Sequence, residues 1–181
     1  MNITATAFPG LCIIQPTVLT DARGYFFESY QETRYTQHGL PHFVQVNVSR
    51  STRGVLRGMH YQKPHAQGKL VSVIHGIAWD VVIDLRQSSP MFRQWFNITL
   101  SSDNHTQLYI PPGFAHGFCA LSDTVDFCYQ CSDYYSPESE RGIAWNDASL
   151  NIPWPVSDPI VSVKDTHYPL LSDLSDDALF A

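Results

Sequence analysis

Leu70-Val71-Ser72-Val73-Ile74, a break at His75-Gly76, and then Ile77-Ala78-Trp79-Asp80-Val81-Val82-Ile83-Asp84-Leu85 is the stretch on which the fold turns. Both arms are rich in β-branched residues, which suit a pleated, half-buried surface. In the second arm Ile77, Trp79, Val81, Ile83 and Leu85 share one face, while Asp80, Val82, Asp84 and Arg86 share the other. Two such runs around a short Gly-containing break predict a β-hairpin, which Ser88-Ser89-Pro90 terminates. Asp80 and Asp84 are costly inside an apolar strand unless paired. Pairing with an arginine and a role in a site both remain open for them.

Working outward, residues 95–101, 107–110, 117–121 and 125–131 read as further short strands between turns, and in the last Val125, Phe127, Tyr129 and Cys131 point one way. Upstream, residues 1–20 give short strands and turns, Asp21-Ala22-Arg23-Gly24 a turn, and residues 30–38 a short helix stopping at Gly39 and Pro41. In Phe43-Val44-Gln45-Val46-Asn47-Val48-Ser49 the polar Gln45, Asn47 and Ser49 lie opposite the three valines. That polar face fits either solvent or a barrel interior holding a polar ligand. From Tyr134 onward Pro137, Pro153, Pro155, Pro159 and Pro169 predict an extended segment wrapping the barrel, with a short acidic helix over 170–181. Regularly spaced strands almost without helices predict an all-β, antiparallel sandwich or jelly-roll barrel. The expected organisation is one domain over 1–181, with N-terminal strands and a short helix in 1–50, a barrel core in 51–133 and the wrapping segment in 134–181.

Composition narrows the classes. Of 181 residues, 44% are hydrophobic and 13% aromatic, enough for a packed core. A net charge of −6 offers no general attraction to nucleic acid or an anionic membrane, so cations for an anionic ligand must be gathered in a pocket. No run has the length of a membrane span and no basic-then-apolar leader opens the chain, which predicts a cytoplasmic protein. Cys128 and Cys131 have CxxC spacing, but in an alternating strand they lie about 10 Å apart on opposite faces. With Cys12 and Cys119 they are expected to be reduced thiols rather than zinc ligands.

The chemistry gathers in Gly54-Val55-Leu56-Arg57-Gly58-Met59-His60-Tyr61-Gln62, continued by Gln67-Gly68-Lys69-Leu70-Val71. A guanidinium, an imidazole and an amine a few residues apart could deprotonate carbon in an anionic substrate. Similar groups return in Pro111-Pro112-Gly113-Phe114-Ala115-His116-Gly117, in Tyr129 and in Lys164-Asp165. Pro112-Gly113-Phe114-Ala115-His116 resembles the second motif of cupins. The metal-binding first motif, HxH, would fall on His60-Tyr61-Gln62, which lacks the second histidine. No metal is therefore expected.

The whole pattern resembles the dTDP-4-dehydrorhamnose 3,5-epimerase family. The matching stretches include Asp21 with the residues to Glu28, Gln45-Val46-Asn47-Val48-Ser49, the Gly54 and Gln67 stretches, 79–86, 110–118, Tyr129, Asp133-Tyr134-Tyr135-Ser136-Pro137-Glu138, Ile143-Ala144-Trp145-Asn146-Asp147 and Ser162-Val163-Lys164-Asp165. They are collinear over nearly the entire chain. Carried over residue by residue, the resemblance places the catalytic base on His60, oriented by Asp165, the general acid on Tyr129 and the enolate-stabilising lysine on Lys69. It matches Asp80 to an aspartate of the family's active site. Nucleotide and phosphate contacts fall on Arg23, Glu28, Gln45, Asn47, Arg57, His116, Glu140 and Lys164. It also implies a cupin-like jelly roll, a homodimer, no metal or organic cofactor, and epimerisation of dTDP-4-dehydro-6-deoxy-D-glucose at C3 and C5. A single-centre 3- or 5-epimerase and a non-catalytic nucleotide-sugar-binding barrel are the competing expectations. Ser72 and His75 stand where the family often has arginine, Arg93 where it often has glycine, and Gln130 where it often has lysine; none of these departures removes a carried-over catalytic group.

Overall fold

A computed structural model describes all residues, Met1–Ala181. Strands are numbered in chain order. One sheet has six strands in the order β1 (Asn2–Ala5), β2 (Cys12–Gln15), β10 (Gln107–Ile110), β7 (Lys69–His75), β12 (Thr124–Cys131) and β5 (Gln45–Thr52). The other has five, in the order β13 (Glu140–Gly142), β6 (Leu56–Gln62), β11 (Phe114–Ala120), β8 (Ile77–Asp84) and β9 (Trp95–Ser101). A small hairpin of β3 (Leu19–Asp21) and β4 (Gly24–Phe26) stands apart, and the single α-helix, α1 (Glu32–Thr36), is five residues long. Neighbouring strands in these sheets pair antiparallel. This is the antiparallel jelly roll that the strand spacing left open beside a sandwich, of the cupin-like kind that the resemblance implies.

The main core lies between the two sheets. Val71, Val73, Leu108, Val125 and Phe127 of the six-stranded sheet meet Ala78, Val82, Leu100, Phe114 and Phe118 of the other. The Phe118 and Phe127 rings stack at 4.0 Å and tie the layers together. The outer face of the five-stranded sheet is covered by the C-terminal segment, which brings Ile143, Leu150, Leu171 and Leu179 onto Met59, Val81, Ile83 and Leu85. No helix is long and apolar enough to cross a membrane.

The expected hairpin at His75-Gly76 is corrected. β7 pairs with β10 and β12, whereas β8 pairs with β11 and β9, so the two arms belong to different sheets. Gly76 takes the sharp corner at φ +84°, and the Ile77 amide donates to Ser122 Oγ at 2.8 Å instead of to a strand opposite. Each arm is an interior strand with both hydrogen-bonding edges used. A two-residue break with glycine looks the same locally for a hairpin and for a crossing between sheets; distant partners decide between them. The helix expected over 170–181 is also corrected. That segment holds two 3₁₀ turns, Leu171–Asp173 and Asp176–Ala178. Its backbone is taken up by the body of the protein: the Leu171 amide donates to Asp147 Oδ2 at 2.7 Å, and the Phe180 amide to the Leu85 carbonyl at 3.0 Å.

The alternation on β5 is resolved in favour of the interior reading. Gln45, Asn47 and Ser49 are half-buried on the inner face, and Val46 and Val48 on the outer face are 62% and 60% exposed.

Candidate active site

Strand alternation puts His60 of β6, Lys69 of β7, His116 of β11 and Tyr129 of β12 on the inner faces of the two sheets, around a cavity of about 710 Å³. Arg57, Glu140, Lys164 and Asp165 also line it. A second chamber of about 240 Å³ shares His60, Lys69, Tyr129 and Glu140 and extends between Gln45 and Asn47. Eleven of the thirteen anticipated residues thus converge, Asp80 from just behind the wall through His116. The other two do not. Arg23 is on the β3–β4 hairpin, paired with Asp21 at 2.6 Å and with its side chain 90% exposed, and Glu28 pairs with Arg34 at 3.3 Å. Neither borders the cavity of its own chain.

His60 Nε2 lies 2.7 Å from Asp165 Oδ1. Asp165 comes from the 3₁₀ turn Lys164–Thr166, which the C-terminal segment holds beside β6: the Leu56 amide donates to the Ile160 carbonyl, and the Ile160 amide to the Gly54 carbonyl, each at 2.9 Å. Burial pushes the Asp165 carboxyl upward, but the hydrogen bond and charge of His60, the Gly58 amide and Ser162 outweigh it and hold the group below the usual carboxylate range. An ionised carboxylate only accepts, so the imidazole proton sits on Nε2 and the lone pair is on Nδ1. The pair fixes the tautomer and leaves Nδ1 as the acceptor of the ring.

A second pair joins His116 Nε2 to Asp80 Oδ2, also at 2.7 Å. Burial dominates here and raises the Asp80 carboxyl despite the His116 charge and hydrogen bond and the Lys69 charge. Asp80 Oδ1 is buried without a protein partner. Lys69 is pulled below the ordinary lysine value by burial, against the opposing fields of Cys131, Glu140 and Asp80. Tyr129 is raised by burial and by Cys131, with Arg57 pulling the other way, so its hydroxyl keeps its proton at neutral pH. At the mouth Glu140 accepts from Lys164 Nζ at 2.6 Å and from the Tyr135 hydroxyl at 2.7 Å. Arg57 is braced by donating to Ser51 Oγ at 3.0 Å. Tyr135 and Ser162 had no assigned role in the sequence reading, although both lie in stretches that carried the resemblance. No cluster of three or more His, Cys, Asp or Glu side chains could hold a metal ion, in keeping with His116 Nε2 being taken by Asp80.

His60 and Tyr129 line one cavity from opposite sheets, with Lys69, Arg57 and Lys164 also at its wall. Fold and site together define a cupin-like jelly-roll enzyme of acid–base chemistry on carbon. The dTDP-4-dehydrorhamnose 3,5-epimerase family matches residues 5–173. The chain belongs to this family of epimerases. The dTDP-4-dehydrorhamnose 3,5-epimerase of Shigella flexneri is 49% identical over 168 residues, covering 91% of this chain and 93% of that protein. The corresponding Pseudomonas aeruginosa protein is 49% identical with the same coverage. The crystal structure of dTDP-6-deoxy-D-glucose-3,5-epimerase RmlC from Legionella pneumophila, in complex with dTDP-4-keto-L-rhamnose, superposes with a TM-score of 0.95 at 47% identity, covering 99% of this chain and 97% of that one.

Proposed function

We propose that the chain converts dTDP-4-dehydro-6-deoxy-D-glucose to dTDP-4-dehydro-L-rhamnose by inverting C3 and C5, both acidified by the 4-keto group. The observation that carries this reading is the placement of His60 and Tyr129 on opposing sheets, with Lys69 lining the same cavity from the strand next to Tyr129. His60 Nδ1 takes the proton from carbon, and Asp165 stabilises the imidazolium. The electron pair moves to O4, where Lys69 meets the enolate charge; a donor so placed is typically worth about 3 kcal/mol. Tyr129 then delivers its proton to the opposite face of the same carbon, which inverts it. Arg57, Lys164 and His116 anchor the diphosphate side, so the non-reacting part of the substrate holds the sugar in register. No step needs a metal or an organic cofactor.

Arg23 and Glu28 enter this scheme through a homodimer. The β3–β4 hairpin exposes Leu19, Tyr25 and Phe26 beside Arg23, and edge strand β5 with the residue before it exposes Val44, Val46 and Val48. Exposed apolar side chains on a sheet edge and on this hairpin support self-association. In such a pairing, the hairpin of one subunit and the residues just after it carry Arg23 and Glu28 toward the partner's cavity. A cytoplasmic location is supported by four free cysteines, which suit a reducing compartment.

Proton NMR of the substrate with enzyme in D₂O tests the reaction. Deuterium at both C3 and C5 of the epimerised product is expected. Label at one carbon alone would make this a single-centre epimerase, and binding without exchange would make it a nucleotide-sugar-binding barrel. Tyr129→Phe should leave exchange into recovered substrate running while inverted product falls about 10²–10⁴-fold.

A further inference from the structure

Gly142 of β13 is the cross-strand partner of His60. Directly opposed residues of an antiparallel pair project to the same side, so a side chain at 142 would stand beside the imidazole. Glycine leaves that space, and Tyr168 fills it. A Cβ built on Gly142 would lie 2.6 Å from each of three Tyr168 ring atoms, Cδ2, Cε2 and Cζ. The same ring meets His60 in a T-shaped contact, with centroids 5.6 Å apart and planes at 63°. Tyr168 follows Asp165 by three residues in the same segment, and the Ala144 amide anchors that segment by donating to the Pro169 carbonyl at 2.8 Å. The C-terminal segment therefore grips the imidazole twice. Asp165 fixes its proton and bonds it in the ring plane, but a single hydrogen bond to Nε2 leaves the ring free to swing about that contact. A ring packed at its side removes that freedom.

We propose that Tyr168 is a positioning residue for the reaction, seated in the groove left by Gly142, and that it holds His60 Nδ1 on the line toward the carbon it deprotonates. This rests on His60 being the base, as argued above. The apolar ring is the working part of Tyr168; its hydroxyl has no protein hydrogen-bond partner that the positioning would use. A misplacement of about 1 Å at a reacting group can cost on the order of 100-fold in rate.

The test combines Tyr168→Leu, Tyr168→Phe and Gly142→Ala, measured as kcat and KM and by ¹⁵N NMR of the histidine side chains, with His60→Asn used to assign the His60 signals. Tyr168→Leu should lower kcat about 10- to 100-fold with KM within about threefold of wild type, and should shift the His60 signals away from the pure Nε2–H tautomer. Tyr168→Phe keeps the ring and should restore both. Gly142→Ala, whose methyl displaces the ring, should reproduce the loss. Adding it to Tyr168→Leu should cost less than the product of the two single effects, because both act through one contact. Thermal melts separate a folding defect from a positioning one. Wild-type kcat and unshifted His60 signals in folded Tyr168→Leu and Gly142→Ala would overturn the proposal, as would a Tyr168→Phe as impaired as Tyr168→Leu. Wild-type turnover in His60→Asn would instead overturn the assignment of the base, so the two failures are distinguishable.

Discussion

Two histidine–carboxylate pairs in this barrel have the same 2.7 Å bond and opposite character. His60–Asp165 joins a strand to the C-terminal segment, with the imidazole side chain 26% exposed to the cavity. His116–Asp80 joins two adjacent strands of one sheet, with side chains 9% and 0% exposed. The Asp165 carboxylate is further served by Gly58 and Ser162, and its proton affinity falls. Asp80 has one partner, leaves Oδ1 bare, and its proton affinity rises. A short bond does not define a catalytic dyad. The number of additional donors around the carboxylate, and whether the imidazole reaches the open cavity, are what separate the two pairs.

The largest expected contrast is between the imidazoles. His60→Asn should abolish deuterium exchange at C3 and C5 while leaving dTDP binding nearly intact, because an amide cannot accept a proton near neutrality. His116→Asn should raise KM about tenfold or more, as for a lost hydrogen bond to a charged group, and leave exchange measurable. Undiminished exchange in His60→Asn would erase the distinction and transfer the base role to the second pair.

Next come the carboxylates. Asp165→Asn should lower kcat about 10²–10⁴-fold, since the amide can hold the wrong tautomer and cannot stabilise the imidazolium. Asp80→Asn should cost less than about tenfold, because it replaces an incompletely partnered buried charge with a neutral isostere. Steady-state kinetics on both variants settle the ranking, and equal losses would mean that the pairs work as one network.

A smaller effect should appear in stability against pH. The Asp165 carboxyl lies below its unfolded value in the folded protein. Its stabilisation is present above about pH 3.9 and is lost as pH falls through the folded value. Asp80 is raised, so its contribution is present below about pH 3.9 and is lost as pH rises through the folded value. Melting temperatures should show Asp165→Asn below wild type at neutral pH and converging with it in acid. Asp80→Asn should improve relative to wild type on going from acid to neutral. Parallel curves for the two variants would contradict the opposite shifts.

The smallest expected effect is none. Exhaustive chelation should leave turnover unchanged, because the first cupin motif lacks its second histidine and His116 Nε2 is bonded to Asp80. Loss of activity with EDTA, restored by one divalent metal, would show that the second pair is a metal site.

Much of this was legible from residue order alone. Alternation of polar and apolar residues follows the two-residue repeat of a strand, so the strands 95–101 and 107–110 and the inward set Val125, Phe127, Tyr129 and Cys131 could be read directly. The motifs around His60, Lys69, His116 and Lys164-Asp165 gave the chemistry, because residue type sets what a group can donate or accept. Pairing was not legible. The break at His75-Gly76 is equally good for a hairpin and a crossing, and only β10, β12, β11 and β9, far along the chain, assign its arms to different sheets. The polar face of β5 was ambiguous until the opposing sheet made it an interior. Tyr168 carries no periodicity or motif; its place beside His60 depends on a missing side chain at Gly142, 26 residues away. Local sequence fixes what each residue can do, whereas burial, and with it the opposite proton affinities of Asp165 and Asp80, exists only after distant strands have closed around them.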